Sequence, residues 1–295
     1  MTPKPPHVAA AYLAVIAIWS TTPLAIKWSG VGTDFIFPLL IRMSLGLVLC
    51  LILITVLRIR LPMHRTAIHA YFAAGLGIGG AMTLVYWGAA TVPSGLIAVL
   101  FGLVPLFTGI ISTLLGSNDR LTASKILGII LGLIGLSVIF GADTHVAPNA
   151  IPAFIAILAA VIIQAGSLVW VKRVATNIPA LALTTGALAI VVTCLLPIWW
   201  VGFGHIPHWS NRAAIATVYL GVFGSVIGFT LYFYVTQQLA AAQVALITLI
   251  TPVTALLLGL WLNHETSHWQ VWLGTGLILL GLVLHQRQAS RPHPC

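Results

Sequence analysis

The chain has 295 residues, of which 60% are hydrophobic and 6% are charged, and its mean hydropathy is +1.08. These values lie outside the range of soluble globular proteins and exclude a water-soluble domain as the whole chain. The formal net charge is +9 at pH 7, but the cations are distributed by membrane topology, as described below. We therefore expect no nucleic-acid partner.

Ten apolar runs are each long enough to cross the roughly 30 Å of hydrocarbon in a bilayer. In chain order they cover residues 8–28, 35–57, 69–90, 94–116, 122–141, 151–171, 180–202, 212–236, 240–262 and 269–286. The first run has no small-x-small cleavage site, so we expect a retained helix and not a signal peptide. The runs are apolar on every face, whereas barrel strands alternate polar and apolar residues. The sequence therefore predicts an all-α membrane protein with ten transmembrane helices in a lipid bilayer.

The cations favour one side of this predicted bundle. If the N-terminus lies in the cytoplasm, ten cations fall on the internal side and only two, Lys27 and Arg212, in outer connections. The remaining cation, Arg42, lies within the second run. Because positive charge favours the cytoplasmic side, we expect both termini in the cytoplasm.

An internal repeat relates the two halves of the chain. A shift of 147 positions aligns residues 67–87 with residues 214–234 without a gap, and the same register sets Pro105 on Pro252. Each half then contributes five helices, residues 1–145 and the remaining residues 146–295. Because five is odd, the second repeat is inverted in the membrane, which is the architecture of alternating-access transporters.

The paired prolines are expected to break helices 4 and 9 at matching depth. Pro105 and Pro252 each free a backbone carbonyl near the midplane, which can bind a polar group or act as a bending point. We expect a hinge, gating or cavity-lining role for both. The alternative is a static kink that only shapes packing.

Several segments carry a resemblance to a known family. They are "IWSTTPLAIKW", "PLLIRMSLGL", "NDRLTASKILGIILGLIGL" and "HETSHWQVWLGTGLILLGL". With the paired prolines and the inverted repeat, they make the whole chain resemble the drug/metabolite transporter superfamily, specifically its ten-helix EamA-type exporters. The acid of the first half, in "SNDR", matches the family pattern more loosely than that of the second, in "NHET".

This resemblance implies a location, an activity and a site. It implies a bacterial inner (plasma) membrane protein that exports amino acids, particularly aromatic or neutral ones, or related metabolites from the cytoplasm. It also implies a central cavity between helices 1 to 4 and 6 to 9, with helices 5 and 10 packed behind them.

Arg42 is the one charge that lies clearly within an apolar run. It is about two turns from the outer end of helix 2, where it can snorkel to the surface or cap backbone carbonyls. The resemblance to the family's helix 2 arginine favours a structural or gating role. Direct binding of a carboxylate is the alternative.

Aromatic residues supply candidate walls for a substrate-binding cavity. Trp19, Tyr86 and Tyr234 are the first candidates, followed by Trp87 and Trp170. Tryptophan and tyrosine also form belts at membrane interfaces, and Trp170 near the inner end of helix 6 fits that alternative. Trp19 lies deeper, so its alternative role is core packing.

Uncharged polar residues complete the predicted lining. They are Ser94, Gln164, Gln243, Thr248 and Thr251. Gln243 and Thr251 share a helix face because they are eight positions apart. The alternative is interhelical hydrogen bonding, worth about 0.6 kcal/mol on average.

The energy source is inferred from missing motifs. No phosphate-cradling loop is present, and the cysteines have no metal-ligand spacing, so we expect no ATP hydrolysis, cofactor or metal. The four acids all lie in connections, whereas a proton relay needs a titratable group within the membrane. Facilitated export down the solute's own gradient is the simplest mechanism.

Two other classes of protein compete with an amino-acid exporter. A membrane enzyme acting on a lipid-linked substrate needs paired acids, a metal cluster or an activated nucleophile near an interface. Two histidine pairs, His205/His208 and His264/His268, lack a third ligand, so we expect no enzyme. A multidrug or purine exporter of the same fold stays open, because stacking aromatics accept flat rings. A channel is disfavoured because no ring of like charges is present.

Overall fold

A computed structural model of the chain describes residues 6–116, 122–142, 150–175, 177–204, 206–239, 244 and 247–286. All regular elements within these residues are helical. In chain order the helices are α1 Pro6–Ser29, α2 Ile36–Val56, α3 Arg65–Gly88, α4 Ser94–Leu114, α5 Ala123–Ala142, α6 Ala150–Val174, α7 Ala180–Gly202, α8 Asn211–Gln238, α9 Ile247–Asn263 and α10 Trp269–Gln286. The prediction of an all-α membrane protein is confirmed.

The lengths of these helices fit a bilayer. Seven of them, α1 to α4 and α6 to α8, are long and apolar enough to cross it, and α5, α9 and α10 are shorter apolar helices. We call the end of the bundle where α1 begins and α10 ends the proximal end. The distal end is opposite and carries the α1–α2, α3–α4 and α9–α10 connections.

Three helices depart from regular α geometry. A π-helical segment, Leu76–Ala81, interrupts α3, and another, Leu220–Gly228, interrupts α8. With the repeat offset of 147 residues the first segment falls within the second. A turn at residues 102–103 divides α4 into Ser94–Phe101 and Val104–Leu114. π-Helical turns in transmembrane helices often mark functional positions, which the hydropathy pattern alone does not reveal.

The two predicted hinge prolines occupy different local structures. Pro105 lies in the first turn of the second α4 segment, just after the break. A backbone N–H at this position has no acceptor within the helix, so the N–H that proline lacks is not missed. Pro252 is buried inside α9. A Cβ atom built on Gly102, in the α4 break, would lie 3.5 Å from the Pro252 ring. The α4 break therefore lies against Pro252 where α4 crosses α9. The predicted break of helix 9 is not observed, because α9 continues through Pro252 from Ile247 to Asn263.

Helix packing follows the repeat. Each of three helices packs against its own counterpart from the other half, giving the pairs α2–α7, α4–α9 and α5–α10. The other major contacts come in mirrored pairs, so that α1–α9 matches α4–α6, α1–α8 matches α3–α6, and α2–α8 matches α3–α7. This is the arrangement expected of two halves related by a pseudo-twofold axis.

Glycines allow α5 and α10 to approach backbone to backbone. A Cβ on Gly128 would collide with the Gly281 carbonyl oxygen, and one on Gly135 would lie 2.6 Å from that of Gly274. Small residues promote helix association in lipid because they let the backbones come close. These contacts make α5 and α10 a tight pair.

We predict that Gly274→Val destabilises this pair. The new side chain would meet the Gly135 carbonyl oxygen and the Ile139 side chain, each 2.5 Å from the Cβ position, and overpacking of this kind costs about 1 to 3 kcal/mol. Gly276→Val is the matched control in the same helix, because nothing lies within 4 Å of its Cβ position. Thermal unfolding of the detergent-purified variants measures the difference. Equal melting temperatures would contradict the close contact.

Candidate functional site

A central cavity lies among α1, α2, α3, α4, α6, α8 and α9. The cavity has a volume of about 120 Å³. Most of the wall is apolar, and the polar side chains in it are Thr22, Arg42, Gln164, Thr248 and Thr251. A largely apolar cavity with a few polar groups is the usual form of a small-molecule site.

Both halves build this cavity from equivalent positions. Six residues of α3 and α4 line it, and for four of them the residue of α8 or α9 that lies 147 positions later lines it as well. The pairs are Met82/Phe229, Val85/Tyr232, Phe101/Thr248 and Val104/Thr251. The cavity therefore lies across the pseudo-twofold axis. Its chemistry is not symmetric, because the second half supplies the hydroxyl groups at these positions.

Two aromatic rings from different halves contact each other in a tilted arrangement at the cavity. Trp19 of α1 and Tyr232 of α8 have ring centroids 4.5 Å apart with planes inclined by 37°. Both residues line the cavity. The pair offers apolar ring surface against which another ring can pack.

Tyr234, a residue predicted for this role, lies elsewhere. It is two positions after Tyr232, which turns its side chain by about 200° around the helix. Its ring centroid lies 6.5 Å from that of His7, near the proximal end. In this structure Tyr232 lines the cavity and Tyr234 does not. Tyr232 is the residue 147 positions after the lining residue Val85, so the repeat register relates these two positions.

Arg42 is a buried cation in the cavity wall, with an exposed fraction of 1%. Its Nε donates to the Ser225 Oγ at 3.0 Å, and its Nη1 lies 3.5 Å from the Tyr86 hydroxyl. The guanidinium carbon is 6.0 Å from the centre of the Tyr86 ring. Ser225 belongs to the π-helical segment of α8, so that segment holds the arginine in place.

The structure brings five of the sequence-predicted residues together at the cavity. They are Trp19, Arg42, Gln164, Thr248 and Thr251. Trp170 instead has an exposed fraction of 41% and is not among the lining residues, and neither are Pro105 and Pro252. Gln243 lies outside the described residues.

Two other predicted residues line a separate space, which we call the distal vestibule. It measures about 500 Å³ and contains Tyr86 and Trp87 together with Lys27 and Asp34. Ile26 lines both this vestibule and the central cavity. Tyr86, which also approaches Arg42, and Ile26 therefore lie between the two spaces.

Ser94 takes part in a set of hydrogen bonds that we call the distal tie. The Glu265 carboxylate accepts from the Ser94 backbone N–H at 3.0 Å, the Ser94 hydroxyl at 2.7 Å and the Gly95 N–H at 3.3 Å. It also accepts from the Asn263 amide at 2.9 Å, and the Trp28 indole donates to Asn263 at 2.8 Å. The carboxylate thus caps the N-terminus of α4 from the other half of the protein.

The sequence placed Glu265 in a connection and gave it no role. His264, with a φ of 51°, turns the chain after α9, and this turn brings the carboxylate back toward α4. The sequence feature that could have drawn attention to Glu265 is its place in "NHET", a segment that resembles the family pattern. What it contacts depends on how the two halves pack.

This architecture resembles that of known proteins. A model of the EamA-like transporter family matches residues 8–141 and again residues 151–285. The chain belongs to the EamA-like transporter family. Each match covers five of the ten helices, so the family unit is the five-helix half.

Relatives at low identity cover nearly the whole chain. The uncharacterized transporter YoaV of Bacillus subtilis is 27% identical, covering 95% of this chain and 96% of its own. The uncharacterized inner membrane transporter YedA of Escherichia coli is 28% identical, covering 93% and 89%. A probable terminal-alkyne amino-acid exporter of Streptantibioticus cattleyicolor is 27% identical, covering 96% of each. This protein is therefore a multi-pass membrane transporter.

The fold also matches a solved structure. One crystal structure superposes with a TM-score of 0.68 at 18% identity, and covers 95% of this chain and 96% of its own. At this identity the likeness concerns the fold alone.

We predict that Glu265→Ala opens the distal tie. The carboxylate accepts several hydrogen bonds between the two halves. Its loss should shift the equilibrium between a form closed at the distal end and a form open there by about tenfold toward the open form. The measurement is labelling of a cysteine at Ala98, in the cavity wall, by an impermeant maleimide in a chain without its native cysteines.

Asp34→Ala is the control at the same end of the bundle. The Asp34 Oδ1 accepts from the N–H groups of Ile36 and Phe37, at 3.0 and 2.8 Å, and so caps α2 without joining the two halves. Faster labelling from the distal side in Glu265→Ala alone supports the tie. The same labelling rate in both variants would exclude it.

Proposed function

We propose that this transporter exports aromatic and neutral amino acids, or closely related metabolites, from the cytoplasm by alternating access. The observation that carries the proposal is the central cavity, which equivalent positions of two inverted halves build around the Trp19–Tyr232 pair. The rings suit an aromatic or apolar side chain. Gln164, Thr248 and Thr251 supply hydrogen-bonding groups that suit the polar end of an amino acid.

The distribution of charge supports an orientation with cytoplasmic termini. The connections between α2 and α3 and between α6 and α7 carry Arg58, Arg60, Lys172 and Arg173 at or beside the proximal ends of their helices. By the positive-inside rule the proximal end faces the cytoplasm and the distal vestibule faces outward. YedA is named an inner membrane transporter, which supports a bacterial plasma membrane location.

Alternating access is supported by the way the halves meet. The distal tie joins the α9–α10 connection of one half to the start of α4 in the other. Breaking it would let the halves separate at the distal end, next to the vestibule. The cavity would then communicate with the outer side through the partition at Ile26 and Tyr86.

Facilitated efflux is the transport mechanism that the cavity supports. The described residues that line it include no aspartate, glutamate or histidine, and proton coupling normally uses such a group within the membrane. The solute would then leave the cell down its own gradient without ATP.

The proposal is tested by efflux from proteoliposomes that contain the purified protein and labelled L-phenylalanine. We predict that Trp19→Ala and Tyr232→Ala each slow efflux by about three- to tenfold, because a lost stacking partner is worth about 1 kcal/mol. Trp200→Ala is the control, since this tryptophan is 73% exposed on α7. Wild-type efflux no faster than from empty liposomes, for L-phenylalanine and for other neutral amino acids, would reject the proposed substrates.

The same vesicles test the energy source and the competing cargo. An imposed pH gradient should not drive uphill movement of L-phenylalanine, and uphill accumulation would overturn facilitated efflux. Adenine efflux that exceeds amino-acid efflux would instead identify a purine exporter, because the aromatic rings of Trp19 and Tyr232 can also pack against a purine.

A further inference from the structure

We infer that Arg42 binds the carboxylate of the transported solute, so that the cargo must carry an anionic group. The inference rests on the proposed function and adds a substrate requirement to it. Neutral amines and bare organic cations would then be poor cargo, even where their aromatic part fits the rings of the cavity.

The guanidinium of Arg42 is buried with unused hydrogen-bonding capacity. An arginine side chain has five N–H donors, and its exposed fraction here is 1%. Among the described residues only Ser225, at 3.0 Å, is a close acceptor, and the Tyr86 hydroxyl lies at the 3.5 Å limit. No hydrogen bond of Nη2 to another described residue is present.

No described carboxylate neutralises this cation. Asp34 caps α2, and Glu265 forms the distal tie. The chain's other two acids, Asp119 and Asp143, lie outside the described residues, in predicted connections. The other two cations near the distal end have partners of their own: Lys27 donates to backbone carbonyls of residues 89 and 92, and Arg212 lies 4.1 Å over the Trp28 ring.

An uncompensated charge within a membrane helix is costly, so its presence calls for a ligand. A solute carboxylate supplies the missing negative charge together with two acceptor oxygens. Charge-assisted hydrogen bonds of this kind are the strong ones, and a planar guanidinium can make two of them to one carboxylate.

The local geometry leaves one edge of the guanidinium for the solute. Ser225 occupies Nε, so the edge between Nη1 and Nη2 is the available one. A Cβ atom on Gly224 would lie 3.1 Å from Nη2, and Gly224 and Arg42 both line the cavity. The absence of a side chain at Gly224 therefore keeps the space beside Nη2 free.

The equivalent helix of the other half carries no such charge. The α7 segment Ala180–Gly202 contains no charged residue and contributes no described residue to the cavity wall. Of the paired helices α2 and α7, α2 alone brings a cation to the cavity.

The test compares two solutes that differ at the carboxylate. Purified full-length protein in proteoliposomes is preloaded with labelled L-phenylalanine or L-phenylalaninamide at equal concentration. We expect the wild type to release L-phenylalanine at least about tenfold faster than the amide, as for a hydrogen-bonded charge pair. Arg42→Gln should bring this ratio close to one through loss of L-phenylalanine efflux, and Arg42→Lys should retain part of it.

Two controls distinguish a loss of carboxylate recognition from a loss of folding. Trp19→Ala, which removes a ring contact available to both solutes, should slow the efflux of both by the same factor, and thermal unfolding reports whether each variant folds. If Arg42→Gln leaves the ratio of L-phenylalanine efflux to L-phenylalaninamide efflux unchanged, whether or not both become slower, Arg42 is not the carboxylate site. A wild type that releases both solutes equally well would overturn the carboxylate requirement and leave the proposed export intact. A wild type that releases neither would reject the proposed function itself.

Discussion

The architecture depends on close packing between the two sets of five helices, because residues of both sets line the central cavity. In lipid the hydrophobic effect does not drive helices together, so close backbone contact and hydrogen bonds must do so. The pairs α2–α7, α4–α9 and α5–α10 meet this requirement by joining equivalent helices across the pseudo-twofold axis. The central cavity forms because the same axis passes between α3, α4, α8 and α9.

The two halves are similar in fold but differ in the side chains that line the cavity. The first property favours exchange between conformations, and the second favours substrate recognition. Near-equivalent halves can exchange conformations at similar free energy, which alternating access needs. Recognition of the proposed amino-acid substrate needs the opposite, because an amino acid has different groups at its ends. The pairs Phe101/Thr248 and Val104/Thr251 show how the chain meets both, since equivalent positions carry different side chains. The helices α2 and α7 repeat this pattern with a charge, since α2 carries Arg42 and α7 carries no charged residue.

The limits of sequence reasoning are visible in particular residues. Trp19, Arg42 and Gln164 were found because polar and aromatic groups within apolar runs are rare and therefore informative. Tyr234 was named and Tyr232 was not considered, because an apolar run has no amphipathic stripe that shows which face of the helix lines a cavity. Ser94 was assigned to the cavity, whereas its partner is Glu265. That contact joins residues 171 positions apart in the chain.

By itself the sequence determined the all-α class, the ten membrane helices, the five-plus-five repeat and the family, because hydropathy, helix length and repeat register are properties of the linear chain. Only the tertiary structure decided which residues share the cavity, which acid joins the two halves, and which charge is left without a carboxylate among the described residues. Those outcomes depend on helix rotation and on distances between distant segments, and neither quantity is encoded in a local pattern.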